Sequence, residues 1–262
     1  SFGLGFDTPA NNELDNYPSS SNGGRTTINP DLKAQNSTNF EFGIKGSSHG
    51  IDNLYFTNTF AEATFFHSII ENEIVPFVYD NAFFYRNAGK TRRYGLEAGF
   101  NTDIVKGLTL KTAYTFSKFQ YLEYQALIIN PSPFTETTED YSNNIVPSVP
   151  EHQFSGELGY SRSFAKYYSA FIKGNLRYVG SMFVNDKNVD SLKTSDYLLL
   201  GAQIGFAVNY KGLNVTAYAG VDNIGDKKYV SFININDMGG RFYEAGPLRN
   251  FFGGLKIGYI FK

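Results

Sequence analysis

The sequence predicts an all-β fold, an antiparallel transmembrane β-barrel segment of about ten strands. Three observations carry this expectation. Apolar residues recur at every second position in segment after segment, tight turns alternate with long polar connections, and tyrosine and phenylalanine gather near the segment ends. The 262 residues include 19 Tyr, 25 Phe and 26 Gly with no Trp and no Cys. Aromatic side chains fit a pleated surface, whereas each glycine costs a helix about 1 kcal/mol.

Taken in order, the first strand is a stub over residues 1–6, and the second sets Phe40, Phe42 and Ile44 against Asn39, Glu41 and Lys45. The third, over 54–70, mixes Glu62, Thr64 and His67 with phenylalanines, so its extent is read more readily than its facing. In the fourth, Tyr94, Leu96, Ala98 and Phe100 oppose Arg93, Glu97 and Asn101, and in the fifth Leu108, Leu110, Tyr114 and Phe116 oppose Thr109, Lys111, Thr115 and Ser117. The sixth sets Phe154, Leu158 and Tyr160 against Gln153, Ser155 and Glu157. The seventh sets Tyr168, Ala170, Ile172, Leu176 and Tyr178 against Ser169, Lys173, Asn175 and Arg177. Residues 197–210 follow, with Leu198, Leu200, Ile204 and Phe206 on one face. Leu213, Val215, Ala217, Ala219 and Val221 form the apolar face of the ninth strand, and Phe251, Leu255, Ile257, Tyr259 and Phe261 that of the last.

A soluble two-sheet sandwich produces the same period, so the connections decide between the two. Short ones at 47–53, 105–107, 162–166 and 210–212 alternate with long ones at 7–36, 71–90, 125–150, 185–195 and 223–247. That is the layout of outer-membrane barrels. Tyr160, Tyr167, Tyr168, Tyr178, Tyr197, Tyr210 and Tyr259 are placed to form the aromatic girdles of such a barrel. No apolar run reaches the roughly 18 residues of a spanning helix, but a barrel strand needs only about 9 to 11. Backbone groups in hydrocarbon must all be paired, so strands of this kind must find a neighbour on both edges.

Charge narrows the partners. With Lys+Arg 23 against Asp+Glu 25 the formal net charge is −2, and no basic field is available to hold nucleic acid. Without cysteine the chain has no disulfide, thiolate nucleophile or cysteine zinc site. It also lacks a charged-then-apolar N-terminal segment, which suggests a removed signal or a start inside a longer protein.

Asn29-Pro30-Asp31-Leu32-Lys33, followed by Asn39-Phe40-Glu41-Phe42-Gly43, resembles an element that leads into a strand in the C-terminal half of the β-barrel of TonB-dependent outer-membrane receptors. Asn87-Ala88-Gly89-Lys90-Thr91-Arg92-Arg93-Tyr94-Gly95-Leu96-Glu97 is the most specific internal match. Val221-Asp222-Asn223-Ile224-Gly225-Asp226-Lys227-Lys228-Tyr229 and Gly246-Pro247-Leu248-Arg249-Asn250-Phe251-Phe252-Gly253-Gly254 match nearer the end, with departures at Ile224, Gly225 and Leu248. Phe261 matches the terminal aromatic that signals barrel assembly, and Lys262 after it is a departure.

The resemblance implies energy-coupled uptake of an iron chelate (siderophore) or similar nutrient at the bacterial outer membrane, with membrane lipid around the strands. It implies a barrel of about 22 strands, of which residues 1–262 are the C-terminal portion. The plug domain, the first half of the barrel and the N-terminal part that couples to the TonB complex would then lie outside this chain. Neither enzyme activity nor a cofactor is implied.

The candidate ligand contacts are Arg93 and Arg177 from the lumen face and Tyr141, Arg241 and Tyr243 from the loops. Arg93, Lys111, Lys173, Arg177 and Lys256 suit guidance of an anionic chelate by charge-assisted bonds, although pairing with Glu97, Glu157 or a plug is the plainer role for lumen charges. Asp186, Asn188 and Asp190 have the spacing that opens a calcium loop, but Ser191 replaces the glycine and Tyr197 stands where a bidentate glutamate belongs. The sequon-like Asn36-Ser37-Thr38 and Asn214-Val215-Thr216, and the pair Gly253-Gly254, carry no chemistry in this setting. A rival reading is a complete ten-stranded hydrolase using His67 and His152 near Glu71, Glu73 and Glu151. Their strands fall about three apart, and no nucleophile motif accompanies them. A passive ten-stranded pore is the third reading.

Overall fold

Period-two alternation resolves into one continuous antiparallel sheet. A computed structural model describes the chain except residues 15, 16, 19–25, 28–31, 50–54, 80, 81, 132, 238, 261 and 262. Phe261, Lys262 and the Asn29-Pro30-Asp31 element lie outside the described residues.

Ten strands pair side by side: β1 (Phe2–Asp7), β4 (Gln35–Ser48), β5 (Thr57–Glu71), β8 (Lys90–Val105), β9 (Leu108–Glu123), β12 (His152–Ala165), β13 (Tyr168–Val179), β14 (Tyr197–Tyr210), β15 (Leu213–Asp222) and β18 (Asn250–Tyr259). Four small ribbons pair within the long connections: β2 (Tyr17–Pro18) with β3 (Thr26–Thr27), β6 (Ile74–Tyr79) with β7 (Ala82–Asn87), β10 (Gln125–Pro131) with β11 (Phe134–Asp140), and β16 (Val230–Ile233) with β17 (Tyr243–Ala245). A single helical turn, α1 (Asn11–Leu14), follows β1. Among the described residues β1 and β18 are the outer strands and do not pair with each other, so the sheet is open.

Cross-strand partners share a face, so the register sorts the side chains. Phe42, Phe65, Leu96 and Phe116 form one row, and Tyr160, Ile172, Ile204 and Ala219 another. The opposite face carries Thr64, Glu97, Thr115 and Gln153 in one row and Glu157, Asn175 and Gly201 in the next. The facing of β5 is thereby fixed: Glu62 and Thr64 join the polar face, and His67 sits between Phe40 and Tyr94 on the apolar one.

The apolar face is bare. Leu4 is 75% exposed, Ile204 62% and Phe251 80%, and covering such a side chain stabilises by about 1.5–3 kcal/mol. A contiguous apolar surface of this extent needs hydrocarbon or another protein layer against it. No second sheet covers it among the described residues, which removes the sandwich. The buried apolar clusters lie instead at the end with the long connections. One joins Val75, Ala88, Tyr121, Tyr124, Ala126 and Tyr141, a second Val179, Met182, Val184, Tyr197, Ile233 and Phe242, and Phe77 with Phe84 makes a third.

Tight turns close the other end. Lys211 and Gly212 have φ of 46° and 86°, the pair of positive values a two-residue type I′ hairpin requires. Each such turn is also tied to the strand beyond it. Ser161 N donates to Gly107 O at 2.8 Å, Asn209 N to Tyr167 O at 2.8 Å and Ile260 N to Gly212 O at 2.9 Å.

Three details differ from expectation. The third strand begins at Thr57 rather than 54. The connections 7–36, 71–90, 125–150 and 223–247 are not plain polar loops but carry paired strands. Pro76 sits in a two-stranded ribbon, where a missing N–H is tolerated, and Thr135 to Asp140 is polar at nearly every position, so neither gave an alternating signal. Finally, Tyr197 belongs to the inner face rather than the outer girdle. Its register follows Gln153 and Val179, and its ring packs 4.6 Å from Tyr229.

Candidate functional site

Functional side chains of a sheet with one apolar and one polar face must lie on the polar face or in the long connections. The connections converge on one carboxylate. Asp186 is fully buried, a position an ionised group holds only when its lone pairs are met by donors. Tyr121 donates to Oδ1 at 2.7 Å, while Tyr124, Arg86 and Asn236 donate to Oδ2 at 2.9, 3.2 and 2.9 Å. Arg86 also donates through Nε to the Tyr124 hydroxyl at 2.5 Å, and its guanidinium lies over the Phe77 ring at 4.9 Å. Burial, and then the charge of Asp186, push the Tyr124 phenol well above its usual range, so it stays a donor.

The knot extends through the backbone. Asn236 Oδ1 accepts from Asp186 N at 2.8 Å, Asn236 Nδ2 donates to Pro76 O at 3.0 Å, and Asn144 Nδ2 donates to Asp186 O at 2.7 Å. Residues from the connections after β5, β9, β13 and β15 therefore meet at one point. Sequence reasoning noticed Asp186 only as part of a calcium spacing. Its partners stand 100, 65 and 50 residues away, at Arg86, Tyr121 and Asn236, so no local pattern marked it. Among the described residues no group of His, Cys, Asp or Glu could hold a metal ion.

The segments singled out by resemblance act as clamps. Asn87 Nδ2 donates to Lys33 O at 3.0 Å and Asn72 O at 2.7 Å, and its Oδ1 accepts from Lys33 N at 2.7 Å. Ala88 beside it is fully buried. Asn223 Nδ2 donates to Lys227 O at 2.8 Å and Pro247 O at 3.2 Å. Arg249 donates through its backbone N to Asp226 at 2.9 Å and through Nε to Ile224 O at 2.9 Å. The two late segments thus fasten each other.

The five candidate contacts are spread out. Arg93 is ion-paired with buried Glu73, which also accepts from Thr91, and lies over the Phe119 ring at 5.1 Å. Arg177 is exposed on the polar face beside a cavity of about 160 Å³ lined by Thr115, Gln153 and Ser155, and it forms no ion pair among the described residues. Tyr141 is buried, with its hydroxyl donating to Glu139 at 2.8 Å. Arg241 approaches Asp237 at 3.9 Å. Tyr243 donates to Leu192 O at 2.5 Å and lines a cavity of about 410 Å³ together with Tyr197, Lys227, Lys228 and Tyr229. Of the other lumen cations, Lys173 pairs with Glu157 at 3.3 Å. His67 and His152 are not brought together. They lie on β5 and β12, three strands apart in the sheet, and His152 Nδ1 meets the Tyr114 hydroxyl at 2.8 Å.

A family model described as TonB dependent receptor-like, beta-barrel, matches residues 1–224. Among solved structures the fold is similar to that of the ferric preacinetobactin receptor from Acinetobacter baumannii, with TM-score 0.65 and 14% identity over 98% of this chain and 33% of that one. The ferric-catecholate import receptor from E. coli K12 gives TM-score 0.62 and 24% identity over 99% and 32%. For the ferric yersiniabactin uptake receptor from Yersinia pestis the values are 0.65 and 18% over 99% and 34%. The chain thus spans about a third of the length of these solved receptors, and at such identities the likeness is one of fold.

Proposed function

Because the chain belongs to the TonB-dependent receptor-like β-barrel family, we propose that it forms the C-terminal portion of the barrel of an energy-coupled bacterial outer-membrane importer. Its cargo is an iron chelate of siderophore type or a similar nutrient. The observation that carries the reading is the open ten-stranded sheet, apolar outside and polar inside. An open edge in hydrocarbon demands further strands, and a preceding barrel half with a plug inside it meets that demand. The family is one of receptors rather than enzymes, which leaves the hydrolase without support.

Within this reading the partly open cations and aromatics meet the ligand. Among the described residues Arg177 faces the interior without a carboxylate partner, and Arg241 and Tyr243 stand at the loop end, Tyr243 on a cavity of about 410 Å³. Arg93 and Tyr141 brace the wall through Glu73 and Glu139.

The test is growth on iron-limited medium of a strain deleted for the natural full-length protein, fed a panel of ferric siderophores. Complementation by the wild type restores uptake of at least one, and R177E weakens binding of that chelate about tenfold, the worth of one lost charge-assisted bond. Ion conductance by the full-length protein, without chelate binding or TonB dependence, would instead favour the passive pore.

A further inference from the structure

Three of the tight turns carry an excess of positive charge. Lys106 follows β8, Arg162 lies near the end of β12, Lys166 sits in the turn before β13 and Lys211 in the turn before β15. All four are exposed, and among the described residues none is ion-paired. Within 103–108, 160–168 and 209–213 the one acid is Asp103, which accepts from Asn58 at 2.8 Å. Carboxylates such as Glu71, Glu123, Glu139, Asp190, Asp226 and Glu244 fall at the opposite end.

These cations are set in an aromatic belt. Lys166 Nζ lies 5.4 Å from the centre of the Tyr167 ring and Lys211 Nζ 5.3 Å from that of Tyr210, while Tyr167 and Tyr210 meet edge to face at 4.9 Å. Phe164, Tyr168 and Phe206 stack beside them at 5.9 to 6.3 Å. Arg162 shares its row with Ala170, Phe206, Ala217 and Leu255, so it is a cation on the apolar outer face itself.

We propose that this rim, formed by Lys106, Arg162, Lys166 and Lys211, is a docking surface for the headgroups of anionic phospholipids. Where an apolar face leaves hydrocarbon it reaches headgroup level, and amphipathic rings gather there. A long basic side chain at that depth lays its stem on apolar surface and puts its charge among the phosphates. A headgroup lacking its own ammonium leaves that phosphate free to pair. Successive hairpins lie two strands apart, roughly 10 Å, so the cations form a row that meets several lipids rather than one. The bonds from each turn to the next strand hold that row in place. A soluble acidic protein is the poorer fit, because Arg162 stands on the surface that the apolar rows occupy.

The inference rests on the outer face meeting lipid, and its test separates the two claims. The natural full-length protein is inserted into nanodiscs of equimolar phosphatidylglycerol and phosphatidylethanolamine, and the lipid retained after detergent washing is counted by native mass spectrometry. Phosphatidylglycerol is expected to be enriched about fivefold, and 0.5 M salt to abolish the enrichment. The K106Q/R162Q/K166Q/K211Q variant loses it, whereas K193Q at the loop end keeps it. Should the quadruple variant not fold, R162Q and K211Q taken singly each reduce the enrichment. Equal retention of both lipids by the wild type, an enrichment unaffected by the substitutions, or an acidic soluble protein held in place of lipid would overturn the proposal. Failure to insert into any bilayer would sink the membrane reading beneath it as well.

Discussion

Asp186 accepts four side-chain donors from three stretches of chain, Arg86 in the connection after β5, Tyr121 and Tyr124 at the end of β9 and Asn236 after β15, and its removal takes the carboxylate away from a largely buried guanidinium. Breaking a buried pair by deleting one partner costs about 3–5 kcal/mol, more than the pair itself contributes. D186A is therefore expected to loosen the loop end by about that amount, with faster hydrogen exchange across β6–β7 and β16–β17. Exchange in β12 to β14 stays unchanged. D186N, which still accepts from Tyr121 or Tyr124, loses less. Unaltered exchange in both hairpins of D186A would show that the knot is not what orders them. The contrast with Arg177 is instructive, since both residues belong to the same half of the chain. Arg177 was legible because it falls on the polar side of an alternating strand, whereas Asp186 acquires its meaning only from residues that folding brings to it.

At the scale of the element, the two-residue period made the strands and their outer rows readable and left the inner face half read. Phe66, Phe171, Phe252 and Tyr218 all fall on the polar face, where the alternation calls for something small or hydrophilic. Each ring lies over a glycine of the neighbouring strand, at Gly95, Gly205, Gly220 and Gly254 respectively, a cross-strand device that pins register. A methyl at Gly205 would run into the Phe171 ring, with Ala217 O at 3.1 Å as the next contact. G205A should cost about 1–3 kcal/mol by overpacking, and F171A should remove most of that extra cost in a double-mutant cycle of thermal unfolding. At Gly95 the Phe116 carbonyl crowds the same position, so F66A should not rescue G95A. Equal rescue at both sites would mean that the ring is not the constraint. The hairpins in the long connections escaped notice for a different reason: a proline in one and unbroken polarity in another erase the alternation that a sheet buried on one face imposes.

For the whole molecule, the open sheet sets the behaviour. Among the described residues strands β1 and β18 each present a row of backbone donors and acceptors with no partner strand, and such edges pair with whatever strand is offered. Residues 1–262 expressed by themselves should self-associate in detergent, as light scattering after size exclusion would report. The natural full-length protein should run as a discrete species. A monodisperse monomer from residues 1–262 would argue that β1 and β18 find each other and that the ten strands close. Fold class, strand number and the alternation of short and long connections were all present in the sequence, because membrane thickness and the pleat dictate them. How the long connections pack was not, because that depends on contacts far apart along the chain.

Four of the five long connections gather at a single buried acid, Asp186. The connections after β5, β9, β13 and β15 are not independent petals, because loosening any one of them means undoing a junction that the others share. Such a rim loosens as one body rather than loop by loop.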